Sequence, residues 1–361
     1  MAVNLATKYA KQIAKAFTLK SVVDGHTSQK YDFIGVKTLK VYTPTTQALN
    51  NYTRTGNNRY GNPAEMQDVV QEMAVQKDRS FAITIDAGNN DEQMNVKAPG
   101  EMLRMELEEQ VIPEMDKFAL GEYIDHAGKI EALANAPTSS TIAAAVSDGM
   151  VHLSNKKVPE DGRAIFIAWT YFGALRLSTQ FMGIDQLGGK ILTTGALGTF
   201  MGAEVIPVPD DYLKKGTSQC YFLIAHKDAL IQPKKIQDYF AKENPAGING
   251  MLLEGRFLFG AFVLAAKCDG VYAAVANNTQ QADVTFTYTS ATATLAFTSS
   301  GATEIRYTLD GSDPRFSDTA KTIASGGSIT LGTGTWKAKA AAYDDALWNG
   351  KVVTDSERTV S

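Results

Sequence analysis

The composition of the chain breaks sharply after residue 276. Residues 1–276 hold all 11 methionines, all four histidines and both cysteines of the 361-residue chain. From Asn277 to Ser361 there are none, and the segment is dense in Thr, Ala, Ser and Gly. A shift of this kind predicts at least two structural units, as the length also suggests at roughly 150 residues per unit. In the tail, TFTYTSATATLAFTSS and GSITLGTGTWKAKAAAYDD alternate with period two and read as half-buried strands between turns. Ile305, Tyr307, Leu309, Ile329, Leu331, Trp336, Ala338 and Ala340 then form the inward set of a small β-sandwich. The polar run AVANNTQQADV separates the two regimes. The boundaries expected are 1–276, a linker over 277–282 and a sandwich over 283–361.

The first part reads as mixed α and β. FIGVKTLKVYT (33–43) and SFAITIDAG (80–88) read as strands, the second ending in a turn at GNND. Residues 44–79 between them carry little apolar content, and a connection that long is normally functional or wrapped on a partner. After Pro99, Leu103, Leu107, Val111, Met115 and Phe118 recur at spacings of three and four, one face of a helix. Glu101, Glu106, Glu108, Glu109, Glu114 and Asp116 fill what reads as a solvated or partner-facing side. Pro113 should kink this helix. Its span over 99–127 is about 40 Å at 1.5 Å per residue. TSSTIAAAVSDGMVHLSNKKV suggests a further helix, and RAIFIAW, GAEVIPVP and SQCYFLIAHKDAL suggest strands.

Chemical signatures are sparse. The net charge is −4 and the pI about 5.7, against a chain built to grip nucleic acid. No apolar run reaches the roughly 18 residues that span a bilayer, and the start lacks a signal-peptide h-region, so synthesis inside the cell is expected. GIDQLGGKI (183–191) has Ile184 where a phosphate loop needs its first glycine, and Ile191 where it needs a hydroxyl. His26, His126, His152 and His226 have no paired ligand spacing, and Cys220 and Cys268 lack a nucleophile signature. Asp310, Asp313 and Asp318 in TLDGSDPRFSD read as turn residues, with a calcium loop as the alternative. No catalytic residue, cofactor or metal is assigned, and the chain is read as not an enzyme.

MAVNLATKYAKQIAKAF, FIGVKTLKVYT, NNYTRTGNNRYG, VQEMAVQKDRSFAITIDAGNNDEQM and the Pro113-bearing helix resemble, in order, major capsid proteins of tailed bacteriophages. The resemblance implies an α+β chain with the Hong Kong 97 phage capsid fold over 1–276. In those terms 1–32 is an N-terminal arm, 43–79 an extended loop lying over a neighbour and 99–127 the spine helix of a peripheral domain. Residues 135–225 form an axial domain, and 226–276 return to the peripheral domain. It implies self-assembly through hexamers and pentamers into an icosahedral virion shell around double-stranded DNA, without sequence-specific contact and away from membranes. A separate scaffolding protein, or prior removal of a scaffolding segment, is expected, with a portal and a maturation protease. Synthesis would occur in the bacterial host cytoplasm. Loop residues of both signs, Arg54, Arg59, Glu65, Asp68, Glu72, Lys77, Asp78 and Arg79, with Tyr60 among them, are the candidate inter-subunit contacts. Some members of the family cross-link a loop lysine to an asparagine; Lys77 is available, but no cross-link is expected.

In the tail, EIRYTLDGSDPRFSD followed by SITLGTGTWKAKAAAYDD is similar, over 283–356, to the immunoglobulin-like C-terminal module of chitobiases and related surface proteins. That implies a module displayed on the shell exterior. It is either a passive knob or a weak adhesin for glycans through aromatics such as Tyr343 or Trp348. The rival classes are a carbohydrate-binding surface protein or glycosidase accessory module, and a strand-exchanged filament protein.

Overall fold

A computed structural model describes residues 20–28, 30–31, 38–44, 49–61, 65, 68–92, 98–178 and 198–360. The start and the last residue of the expected arm, residues 33–37 of the first expected strand and the glycine-rich 183–191 lie outside the described residues. The described residues form two compact units. The first takes residues up to Lys37, Ala74–Val263 and Lys267–Thr279; the second takes Thr38–Met73, Leu264–Ala266 and the chain from Gln280 onward.

The first unit contains a mixed seven-stranded sheet. Its order is Lys129–Leu133, Val271–Ala276, Ser218–His226, Arg163–Ala168, Ala203–Val208 and Thr199–Phe200, with Lys214–Lys215 pairing Ser218–His226 off that path. Arg163–Ala168 runs parallel to Ala203–Val208 and antiparallel to Ser218–His226. All six of its residues are buried, as a strand covered on both faces requires. Helices Ile142–Asn155 and Trp169–Arg176 add Ile142, Val146, Met150, Leu153, Phe172 and Leu175 to the same core. Gly149 lets the first of these close on the sheet: a Cβ there would stand 2.6 Å from Ile224 Cδ1 and 2.9 Å from the Tyr272 ring.

A second, antiparallel sheet joins Lys234–Glu243, Gly250–Phe259 and Lys77–Asp86. The 226–276 stretch, expected to return to one domain, therefore divides: Gly250–Phe259 lies in this sheet and Val271–Ala276 in the large one. VYAAVA is apolar throughout and suits the large sheet's interior. The expected turn at GNND is instead a short helix, Ala87–Glu92, where Asn89 N–H donates to the Asp86 carboxylate at 3.0 Å.

The long helix forms in three parts: α-helix over Pro99–Glu106, π-helix over Leu107–Val111 and α-helix over Ile112–Asp125. The π segment closes with Ile112 N–H on Leu107 O, an i to i−5 bond. Pro113 has no N–H to give, so the wider turn precedes it where a plain kink was expected. One extra residue in a turn rotates the part of the helix beyond it. The stripe through Leu107, Val111, Met115 and Phe118 packs with Phe81, Phe257 and Phe259. Past that stripe the buried set is Met115, Asp116, Ala119, Leu120, Tyr123 and Ile124.

In the second unit, Thr38–Pro44 and Asp68–Ala74 pair as a two-stranded ribbon. The tail forms a three-stranded sheet (Thr285–Thr289, Thr294–Thr298, Ser328–Thr330) and a four-stranded sheet (Lys321–Ile323, Glu304–Thr308, Lys339–Tyr343, Val353–Thr354). Gly334–Trp336 pairs with Arg358–Val360. All eight apolar residues expected to face inward belong to or pack against the core shared by these sheets, which also holds the fully buried Leu295 and Phe297.

Candidate functional site

The residues expected to meet another copy fall into both units. In the second, residues 49–61 form an exposed tip beyond the ribbon. Thr53 N–H donates to Arg59 O at 3.1 Å, and Gly61 N–H to Asn58 O at 2.9 Å. Gly56 at φ +87° and Asn58 at φ 59° supply the left-handed backbone for this turn. Arg59 Nε donates to Gly56 O at 3.2 Å. Arg54 and Glu65 are exposed. Tyr60 is 84% exposed and meets Tyr52 edge to face at 5.2 Å. Tyr42 and Leu49 are exposed as well. Glu72 pairs across the ribbon with Lys40 at 3.2 Å, and that bond holds the Lys40 ammonium above its ordinary pKa.

In the first unit the charged residues engage their own unit. Lys77 Nζ lies 5.2 Å over the Phe118 ring. Asp78 takes Arg256 in a two-pronged pair at 2.9 and 2.5 Å, and Arg79 Nε meets Glu114 at 2.7 Å. Each is a partly exposed pair of the kind worth about 0–1 kcal/mol.

One feature was missed in the sequence. Asp116, read as part of a solvated acidic face, is 2% exposed. Its carboxylate accepts Ser21 Oγ–H at 2.8 Å and Val22 N–H at 2.7 Å, fastening segment 20–28 to the helix. Val23 is fully buried, Lys234 pairs with Asp24 at 3.0 Å and Ser28 N–H donates to Leu230 O at 2.8 Å. Burial raises the Asp116 carboxyl above the usual range, against the two hydrogen bonds and nearby Lys234. The available signal was the second stripe Asp116, Leu120, Tyr123, which becomes the inner face once the π segment turns the helix.

One reading of the tail is corrected. Trp348 has no exposed surface and Tyr343 only 9%, so neither offers a glycan platform. Arg306 covers the Tyr343 ring at 4.2 Å. The aspartates of TLDGSDPRFSD tie a turn. Asp310 accepts Ser312 N–H and Thr319 Oγ1–H, both at 2.9 Å; Asp313 accepts Arg315 N–H at 3.0 Å and its guanidinium at 2.8 Å. Among the described residues no three His, Cys, Asp or Glu converge as a metal site. Cys220 is buried and its thiol pushed far up by desolvation, which suppresses the thiolate. Cys268 is partly buried. His152 and His226 are lowered by burial, and His226 Nε2 lies 2.9 Å from Asp161 O.

The architecture has solved counterparts. A structure from Mycobacterium phage Che8 superposes with a TM-score of 0.63 at 14% identity, covering 74% of this chain and 96% of that one. The capsid structure of cyanophage P-SCSP1u gives 0.63 at 13% identity, covering 76% and 93%. The asymmetric unit of the bacteriophage PhiM1 mature capsid gives 0.59 at 13%, covering 76% and 92%. The chain has the phage capsid fold. Residues 294–356 match the Fn3 associated family, in agreement with an immunoglobulin-like module after a capsid fold. No curated protein matches the chain. Both resemblances read from the sequence are thus met at the level of fold.

Proposed function

We propose that this chain is the major capsid protein of a tailed phage, a shell subunit that assembles with copies of itself through hexamers and pentamers around double-stranded DNA. The observation that carries this is coverage: the phage structures it resembles, two of them described as capsid structures, are matched over 92–96% of their own chains, nearly a whole chain rather than a shared motif. Residues 20–31 then end the arm, 43–79 are the extended loop, 99–127 the spine helix and 135–225 the axial domain. Residues 226–276 return to the peripheral domain except for the strand Val271–Ala276. The exposed tip around Leu49, Tyr52 and Tyr60, flanked by Arg54, Arg59 and Glu65, is the surface offered to a neighbour. A shell of net charge −4 per subunit lets packed DNA lie against it without the clustered lysines and arginines that would hold it.

Scaffold, portal and maturation protease are the partners such assembly calls for, with synthesis in the bacterial cytoplasm. The tail is a knob on the outer surface; Trp348 and Tyr343, the aromatics named for glycan adhesion, are buried and do not support it. Electron microscopy of the protein, expressed with and without its neighbouring phage genes, tests the reading. Closed shells, or five- and six-fold capsomers with radial knobs, are expected. A monodisperse monomer in the presence of those gene products would overturn it.

A further inference from the structure

The second unit holds two parts far apart in sequence: the ribbon, from residues 38–73, and the C-terminal module. A two-stranded ribbon is marginally stable by itself in water. Successive strand residues point to opposite faces, so Gln71 and Met73 share one face. That face is closed: Gln71 is 5% exposed and Met73 1%. Two contacts on Gln71 come from the same unit. Ala265 N–H donates to Gln71 Oε1 at 2.8 Å, and Gln71 forms an antiparallel bridge with Ser317 of the module.

Ser317 stands in the turn that Asp310 and Asp313 tie together, and Phe316 beside it is buried. Ser317 N–H is itself taken by Asp313 O at 3.0 Å. The turn therefore meets the ribbon as a preformed object, and little ordering entropy is lost on docking. The Asp318 carboxylate adds to the field of Glu72 on Lys40, so the ribbon's own ion pair extends toward the turn. The opposite end of the ribbon carries the exposed Leu49, Tyr52 and Tyr60.

We propose that the C-terminal module is an intramolecular brace: its Asp310–Thr319 turn docks on strand Asp68–Ala74, holds the base of the ribbon and so presents the tip to a second copy of this chain. The brace is a property of the single chain; its consequence for shells rests on the capsid reading above.

The test uses the full chain in a Cys268→Ser background. Antiparallel partners have Cα atoms about 4.5–5.5 Å apart, within disulfide range, so Gln71→Cys with Ser317→Cys should cross-link under mild oxidation. The locked chain should exchange the amides of 38–44 and 68–74 more slowly than its reduced form. Ser317→Trp, which puts bulk into the contact, should speed exchange there about tenfold while 304–308 and 339–343 keep wild-type protection. Gln71→Ala should do the same by leaving the Ala265 N–H without its acceptor. A cysteine pair that stays reduced, or ribbon exchange unchanged in both Ser317→Trp and Gln71→Ala, would overturn the brace. Shell yield is read in parallel. Fewer closed shells from Ser317→Trp than from wild type supports presentation of the tip. Equal yields despite faster ribbon exchange would overturn that part. No shells from any form, with the exchange pattern intact, would sink the capsid reading and leave the brace standing.

Discussion

Replacing Asp116 by alanine isolates what fastens segment 20–28. The carboxylate accepts from Ser21 Oγ–H and Val22 N–H and is 2% exposed. Hydrogen bonds to a charged group contribute about 1.5–3 kcal/mol each. Relief of the carboxylate's own desolvation returns about 1–3 kcal/mol, which leaves a net loss near 2–3 kcal/mol. At 1.4 kcal/mol per factor of ten, amides of 22–28 should exchange roughly 30- to 100-fold faster by local opening. The large sheet should keep its protection. Asp116→Asn retains one acceptor oxygen and should fall between the two. The pH response has a definite sign. Burial raises the Asp116 carboxyl above its unfolded value, so its contribution is full below the ordinary carboxylate pKa and is lost as pH rises through the native one. Lys234 opposes that shift, Asp24 adds to it, and Tyr123 and Tyr212 face the same carboxyl. Wild type should therefore open more readily as pH climbs through the native pKa, and Asp116→Asn should lose that dependence. Asp116→Ala with wild-type exchange at 22–28 would refute the reasoning.

Trp348→Ala empties a fully buried site and should cost the module about 3–5 kcal/mol, seen as lost protection across 304–308 and 339–343. Gly149→Ala should destabilise the Ile142–Asn155 helix against the sheet by about 1–3 kcal/mol, despite alanine's better propensity, because its Cβ would meet Ile224 and Tyr272; a urea titration checks it. Arg79→Ala breaks an exposed pair with Glu114 and should shift free-chain stability by less than about 1 kcal/mol, read from the same titration. Tyr60→Ala should leave the free chain unchanged and lower shell yield more than Arg54→Ala does; equal yields would count against an apolar contact at the tip.

The sequence was most legible where one local rule decided the outcome. RAIFIA and SQCYFLIAH are apolar at nearly every position and emerge as central strands. The alternating tail residues Ile305, Tyr307 and Leu331 point inward as period two demands. What stayed hidden was set by packing between distant segments. Trp348 sits in DDALWNG, polar neighbours that suggest a solvent-facing loop, yet it is fully buried. Asp116 reads as one more acid on an acidic helix until the π segment before Pro113 turns it inward. The residues proposed as contacts were found by charge and loop length, and nothing in their spacing revealed that Lys77 and Arg79 belong with one unit and Tyr60 with the other.

That division bears on how such a subunit could hold to its neighbours. Asp78–Arg256 and Arg79–Glu114 are satisfied within the first unit, so reusing them across an interface would first break them. Exposed ion pairs contribute at most about 1 kcal/mol and are screened by salt. Burying one tyrosine or leucine side chain contributes about 1.5–3 kcal/mol and is insensitive to salt. The tip carries Leu49, Tyr52 and Tyr60, none with more cover than half its surface, on a loop otherwise poor in apolar residues. On the capsid reading proposed above, a chain that leaves three such groups in water offers them as its apolar contact surface. The ribbon's role on that reading is mechanical, to carry that surface, and a two-stranded ribbon needs a support for that task.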